Sequence, residues 1–93
     1  MKPIEVPLVA LTSNNAIAKP QDANDIRCFV SMDRRITIYL PPDDEVESYI
    51  ILQTPNGRYR LNKHSALNIY LGVCKGYKVH VSLKKIVGTL RRW

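Results

Sequence analysis

The stretch TPNGRYRLNKHSALNIYLGVCKGYKVHV, Thr54 to Val81, decides how this chain folds. It carries five Lys and Arg residues and no Asp or Glu. Asn56-Gly57 is a hairpin signal, because both residues tolerate positive φ. Ser48-Tyr49-Ile50-Ile51-Leu52-Gln53 precedes it, a strand by its β-branched and aromatic content, and Arg58-Tyr59-Arg60-Leu61 returns. The segment NKHSALNIYLGV then reads two ways. Asn62 can cap a helix, Leu67, Tyr70 and Leu71 fall at i, i+3 and i+4, and Gly72 suits the position after a last turn. Leu67, Ile69, Leu71 and Val73 also alternate as a strand would. The cap and the stop residue together favour a short helix within 63–71. Tyr77-Lys78-Val79-His80-Val81 and Ile86-Val87-Gly88-Thr89-Leu90 follow as two strands, joined by Ser82-Leu83-Lys84-Lys85 in a further hairpin.

Upstream, residues 4–11 (IEVPLVAL) read as an edge strand or extended arm, since Pro7 cannot donate to a ladder. Residues 12–25 are dense in Asn, Ser, Asp and Pro and read as a long loop. Residues 26–32 and 35–41 are two β-rich runs. Asp33 and Arg34 lie between them, and the lack of Gly or Asn there points to a bulged turn. Pro41-Pro42-Asp43-Asp44-Glu45 breaks the chain. Residues 1–45 are thus expected to form an N-terminal arm and hairpin, and residues 46–93 a basic hairpin-helix-hairpin unit. The fold expected is mainly β, a small hairpin-built domain, either a swapped-hairpin dimer or a small barrel. It would carry at most one short helix and an N-terminal arm.

At 93 residues the chain buries a modest core, and oligomerisation is a plausible source of further stability. No apolar run approaches the roughly 18 residues of a membrane span. The N-terminal apolar stretch is interrupted by Glu5 and Pro7 and is too short for a signal peptide. A cytoplasmic setting, in a cell or an infected host, is the default. Cys28 and Cys74 sit in apolar surroundings and read as buried thiols. No Cys or His spacing suggests a metal site, and no cofactor is expected. His80 alternates with Val79 and Val81, which puts it on the outward face of a strand.

The charge is strongly segregated. Residues 1–47 hold five Lys and Arg against eight Asp and Glu, a net of −3, while residues 48–93 hold nine Lys and Arg and no acid, a net of +9. Ion pairs within the second half cannot cancel such a field. Arg58, Arg60, Lys63, Lys75, Lys78, Lys84, Lys85, Arg91 and Arg92 are the candidate nucleic-acid contacts, since forked and mobile cations both suit phosphate. Arg58 and Arg60 share one strand face, with Tyr59 on the other. Lys84 and Lys85 sit at a hairpin tip. Arg91-Arg92-Trp93 form a basic tail that ends in a stacking ring.

Several motifs in this half resemble the AbrB/SpoVT-type swapped-hairpin family of dimeric DNA-binding regulators. Gly57-Arg58 is similar to the Gly-Arg that opens that family's second strand. Leu71-Gly72-Val73 is similar to its Leu-Gly-Ile, and Gly76-Tyr77-Lys78-Val79 to its Gly-Asp-Lys-Val turn. Leu61-Asn62 stands where the family has Ile-Pro, and Tyr77 where it has Asp. The resemblance covers residues 48–93. It implies an interleaved homodimer in which Arg58 contacts DNA.

The function expected is that of a small basic nucleic-acid-binding protein, a dimeric DNA-binding transcription regulator, with DNA favoured over RNA and no membrane partner. The alternative is a viral, phage or ribosome-associated assembly subunit whose acidic first half docks on a neighbour's basic half. Enzyme readings have little support, because no phosphate-cradling Gly-rich loop is present and the carboxylates at 43–47 lie in a Pro-flanked turn. Topology separates these classes. Interleaved copies of 48–93 favour the regulator, a closed monomeric barrel favours an RNA- or single-strand-binding module, and arm exchange favours assembly.

Overall fold

A computed structural model describes residues 3–41, 48–64 and 69–93. Eight strands are formed among these residues: β1 (Ile4–Thr12), β2 (Ile26–Ser31), β3 (Thr37–Tyr39), β4 (Tyr49–Thr54), β5 (Gly57–His64), β6 (Ile69–Cys74), β7 (Tyr77–Lys84) and β8 (Val87–Arg92). Each pairs antiparallel with the next, and β1 pairs with β8, so the sheet closes into an up-and-down barrel. Closure leaves no edge for another chain to extend. The small-barrel form of the expected fold is the one present. The single helical element among the described residues is one 3-10 turn, Pro20–Asp22.

The expected arm takes part in this closure. β1 is flanked by β2 on one side and β8 on the other, with Leu8 opposite Ser31 and Val6 opposite Leu90. Pro7 fits there for a local reason. Ala10 N–H donates to Ile86 O on the β8 side, and backbone groups alternate sides along a strand. The nitrogen of Pro7 therefore points to the β2 side, past the last β1–β2 pair, where no donor is needed. The junction at 42–47 lies outside the described residues. On either side of it β3 pairs with β4, so both halves of the chain supply strands to one sheet.

The short helix expected within 63–71 is not what the described residues form. Lys63 and His64 belong to β5, and Ile69 to Leu71 belong to β6; residues 65–68 lie outside the described set. Gly72, read as a helix stop, has a different use. It faces the interior opposite Val79, and a Cβ there would collide with the fully buried Leu61 side chain and crowd Arg60 O at 3.3 Å. Glycine lets β5 and β6 keep their inner faces close, as it does where another chain segment approaches a strand. The turns differ slightly from expectation too. Pro55 and Asn56 make the β4–β5 tip while Gly57, at φ 138°, opens β5. Lys75 and Gly76, both at positive φ, form the two-residue β6–β7 turn, as the twist of paired strands favours. The β2–β3 connection spans residues 32–36, with Arg34 at φ 60°.

Alternation along the strands builds the core. Leu8, Ala10, Phe29, Ile38, Ile50, Leu52, Leu61, Val79, Val81 and Leu90 point inward and are buried. Each large apolar side chain here contributes about 1.5–3 kcal/mol of burial. Ala18 packs into this cluster from the 13–25 segment, held by its N–H on Ala10 O. A second, smaller cluster joins Leu11, Cys28 and Val30 on the other face of β1 and β2. Cys28 and Cys74 are buried free thiols, and burial pushes both up from the usual thiol range. No helix among the described residues is long and apolar enough to cross a membrane.

Candidate nucleic-acid interface

The barrel sorts the nine candidate cations onto several surfaces. Its upper end carries the β2–β3, β4–β5 and β6–β7 turns together with the start of β1 and the end of β8. The lower end carries residues 13–25 and the β7–β8 turn.

Arg58 and Arg60 lie together on the outer face of β5, while Tyr59 between them packs against the core. Side chains two apart on a strand are about 6.6 Å apart, on one face. Both arginines are braced by their neighbours. Arg58 Nε donates to Gln53 Oε1 at 3.0 Å, from the residue directly opposite on β4, and its guanidinium lies 5.8 Å from the Tyr39 ring centre on β3. Arg60 Nε donates to Asn62 Oδ1 at 3.2 Å, and its guanidinium lies 4.1 Å from the Tyr49 ring centre. The sheet order β3-β4-β5 stacks these groups into one surface of alternating guanidinium, ring and amide. Neither arginine has an ion-pair partner among the described residues. Such cation–aromatic contacts contribute about 0.5–1 kcal/mol at exposed sites. They brace both guanidinium groups over the outer face of the sheet.

The other cations are placed apart from this surface. Lys78 projects from the outer face of β7 near the upper end, and Lys75 sits in the β6–β7 turn. Arg92 faces the upper mouth of the barrel, with its guanidinium 5.0 Å from the Tyr77 ring centre. Arg91 is on the outer face of β8 and pairs with Glu5 at 3.2 Å, both side chains about half exposed. A surface pair of that kind contributes on the order of 0–1 kcal/mol. Lys63 is half-buried and alternates onto the inner side of β5. Lys84 ends β7 and Lys85 begins the two-residue β7–β8 turn, so both lie at the lower end. The nine therefore do not share one face.

The basic tail is docked and not free. Trp93 N–H donates to Lys78 O at 3.0 Å, and its ring meets the His80 ring at 4.4 Å with a 59° tilt. His80 is on the outer face, as expected. Partial burial, with help from the Lys78 and Arg91 charges, lowers its pKa below the usual imidazole value.

Sequence reasoning did not single out Tyr39, Tyr49, Gln53 and Asn62 as partners of the arginines. Their only signal is alternation within each strand, and which strand lies beside which is a long-range fact. No metal-ligating cluster is formed among the described residues. Comparison with protein-family models, with curated proteins and with solved structures found no match.

Proposed function

We propose that this protein binds single-stranded nucleic acid across the outer face of β3, β4 and β5. Arg58 and Arg60 take phosphates, and the Tyr39 and Tyr49 rings offer stacking surfaces for bases. The observation that carries the reading is the pair of pre-positioned arginines, without an ion-pair partner among the described residues, with Arg60 held against the Tyr49 ring on the adjacent β4 and Arg58 against the Tyr39 ring one strand further on β3. A basic surface interleaved with aromatics is the combination that serves single strands, because every base has a face to stack and every nucleotide a phosphate to contact. The excess of +9 over residues 48–93 supports it through long-range attraction.

Two considerations favour a single strand over a duplex. Reading a duplex groove calls for a helix or a protruding two-stranded ribbon, whereas here the described strands are wrapped into one closed sheet. RNA and single-stranded DNA also expose base faces that stacked duplex bases hide. Fluorescence anisotropy with matched single-stranded DNA, single-stranded RNA and duplex DNA at low salt tests the proposal. Tighter binding of either single strand than of duplex is the result expected. Preference for duplex would favour the regulator reading, and absence of binding to all three would remove nucleic acid as the partner.

A further inference from the structure

The upper mouth of the barrel is an open bowl of about 520 Å³, within the range typical of small-molecule sites. Its floor is the top of the core, where Val6, Leu52, Val79 and Leu90 converge. Beneath them Ala10, Ile38, Ile50, Leu61 and Val81 have no exposed surface at all, so the interior is filled. A long acyl chain has no channel to enter, while a flat ring can lie on the apolar floor. The wall is aromatic, with Tyr59 and the exposed Tyr77. The rim is cationic, carrying Arg35 from the β2–β3 turn, Lys75 from the β6–β7 turn and Arg92 from the end of β8. None of these three has an ion-pair partner among the described residues. Asp33 is the one acid in the lining among the described residues, and its carboxylate is already engaged. It accepts from Ser31 Oγ at 2.6 Å and from Arg35 N–H at 3.0 Å, and those bonds hold its carboxyl below the usual range.

We propose that this bowl binds a nucleoside monophosphate. The base lies against Tyr77 and Arg92, which already stack on each other, and the phosphate is taken by Arg35 and Lys75. Arginine suits the phosphate because its fork can donate two parallel bonds. The choice of a nucleotide among aromatic anions rests on the nucleic-acid reading; the shape and charge of the bowl do not. Continuity supports the choice. Pro55 and Asn56 line the bowl and directly precede Gly57 and Arg58, so a strand lying along Arg60 and Arg58 reaches the rim at its end. The same chemistry can arrive as a free mononucleotide or as the 5′-phosphorylated end of a strand.

The test is a backbone amide NMR titration of the full chain with AMP and UMP, repeated with 5′-phosphorylated and 5′-hydroxyl oligonucleotides. Saturable shifts at Lys75, Tyr77 and Arg92 are expected. Arg35→Ala with Arg92→Ala should weaken mononucleotide binding by about tenfold or more, since hydrogen bonds to charged groups contribute about 1.5–3 kcal/mol. Arg58→Ala with Arg60→Ala should leave mononucleotide binding intact while weakening the oligonucleotide, so failure of the outer-face reading and failure of the bowl are distinguished. A gain in affinity from the 5′-phosphate that the bowl variant removes identifies the strand end as the source; free nucleotide binding without that gain identifies the mononucleotide. If the bowl variant loses its dispersed spectrum, Lys75→Gln on the exposed turn takes its place. No saturable shift in the bowl with any of the four ligands, or shifts that survive the substitutions unchanged, would overturn the proposal.

Discussion

The guanidinium of Arg60 rests 4.1 Å from the centre of the Tyr49 ring, reaching across the ladder from β5 to β4. One step up the strand, Arg58 leans 5.8 Å from the Tyr39 ring on β3. The two contacts are related by the alternation of one strand, and together they turn two flexible side chains into a fixed pair. A fixed pair loses less rotamer freedom on meeting a ligand, which favours affinity without adding contacts.

Tyr39 is the more exposed of the two rings. Tyr39→Ala is expected to weaken single-strand binding by about 1–3 kcal/mol, the usual cost of removing a stacking ring. Tyr39→Phe should retain most of the affinity. Anisotropy titrations at one salt concentration compare them. Equal losses in both variants would show that the hydroxyl, and not the ring, makes the contact.

Lys84 and Lys85 lie at the end of the barrel away from the β4–β5 turn. Lys84→Ala with Lys85→Ala is therefore expected to lower affinity less than the loss of Arg58 and Arg60, although both variants remove two charges. Unequal effects at equal net charge separate a defined surface from general attraction. Equal effects in the same titration would mean that only total charge matters.

Gly72→Ala places a methyl group against Leu61 in the filled interior. Overpacking of this kind costs about 1–3 kcal/mol, read as a lower midpoint in urea or thermal unfolding. Leu61→Ala in the same chain should relieve the collision, so the two changes should combine less than additively. Full additivity would show that Gly72 is not limited by Leu61.

Removal of residues 1–12 takes out β1 and exposes the facing edges of β2 and β8. Loss of cooperative unfolding, or growth in mass by pairing of the freed edges, is expected from circular dichroism and light scattering. A folded monomer of unchanged cooperativity would show that the remaining strands close without β1.

His80 favours its neutral form in the folded chain, because burial and the Lys78 and Arg91 charges oppose protonation. Glu5 shares this surface through its pair with Arg91. The unfolded chain then binds the proton more readily. The stabilising contribution is full above the ordinary value of 6.5 and is lost as pH falls from there through the lowered folded pKa. The lone Trp93 ring touches His80, so its fluorescence should titrate below that ordinary value. His80→Gln should abolish both the fluorescence step and the stability slope over that window.

Much of the fold was legible in the sequence because most strands obey a local rule. Inward Ile50, Leu52, Leu61, Val79, Val81 and Leu90 alternate with outward residues, and the turns at Pro55-Asn56 and Lys75-Gly76 carry Pro, Asn and Gly. The β6 stretch was misleading because Leu67, Tyr70 and Leu71 satisfy the helical period while Ile69, Leu71 and Val73 satisfy the strand period. Packing decided between them, since Gly72 is needed against Leu61 and not as a helix stop. The closure of β1 onto β8 has no local signature. The basic excess of the second half was plain in the sequence, yet it could not report that Lys84 and Lys85 would lie away from Arg58. Arg58 and Arg60 could be paired from alternation alone, whereas Tyr39 and Tyr49 join them only through the strand order β3-β4-β5.

The most direct test of the central claim is the salt dependence of single-strand binding for the wild-type chain and for Arg58→Ala with Arg60→Ala, with light scattering on the same samples. Each phosphate contact to a single strand contributes about 0.7 to the slope of log K against log salt, so losing two should flatten it by about 1.4. The account predicts that flattening, a weaker complex and an unchanged molecular mass. An unchanged slope and affinity with a reduced mass would contradict it, and would place these arginines in contacts between copies of the chain.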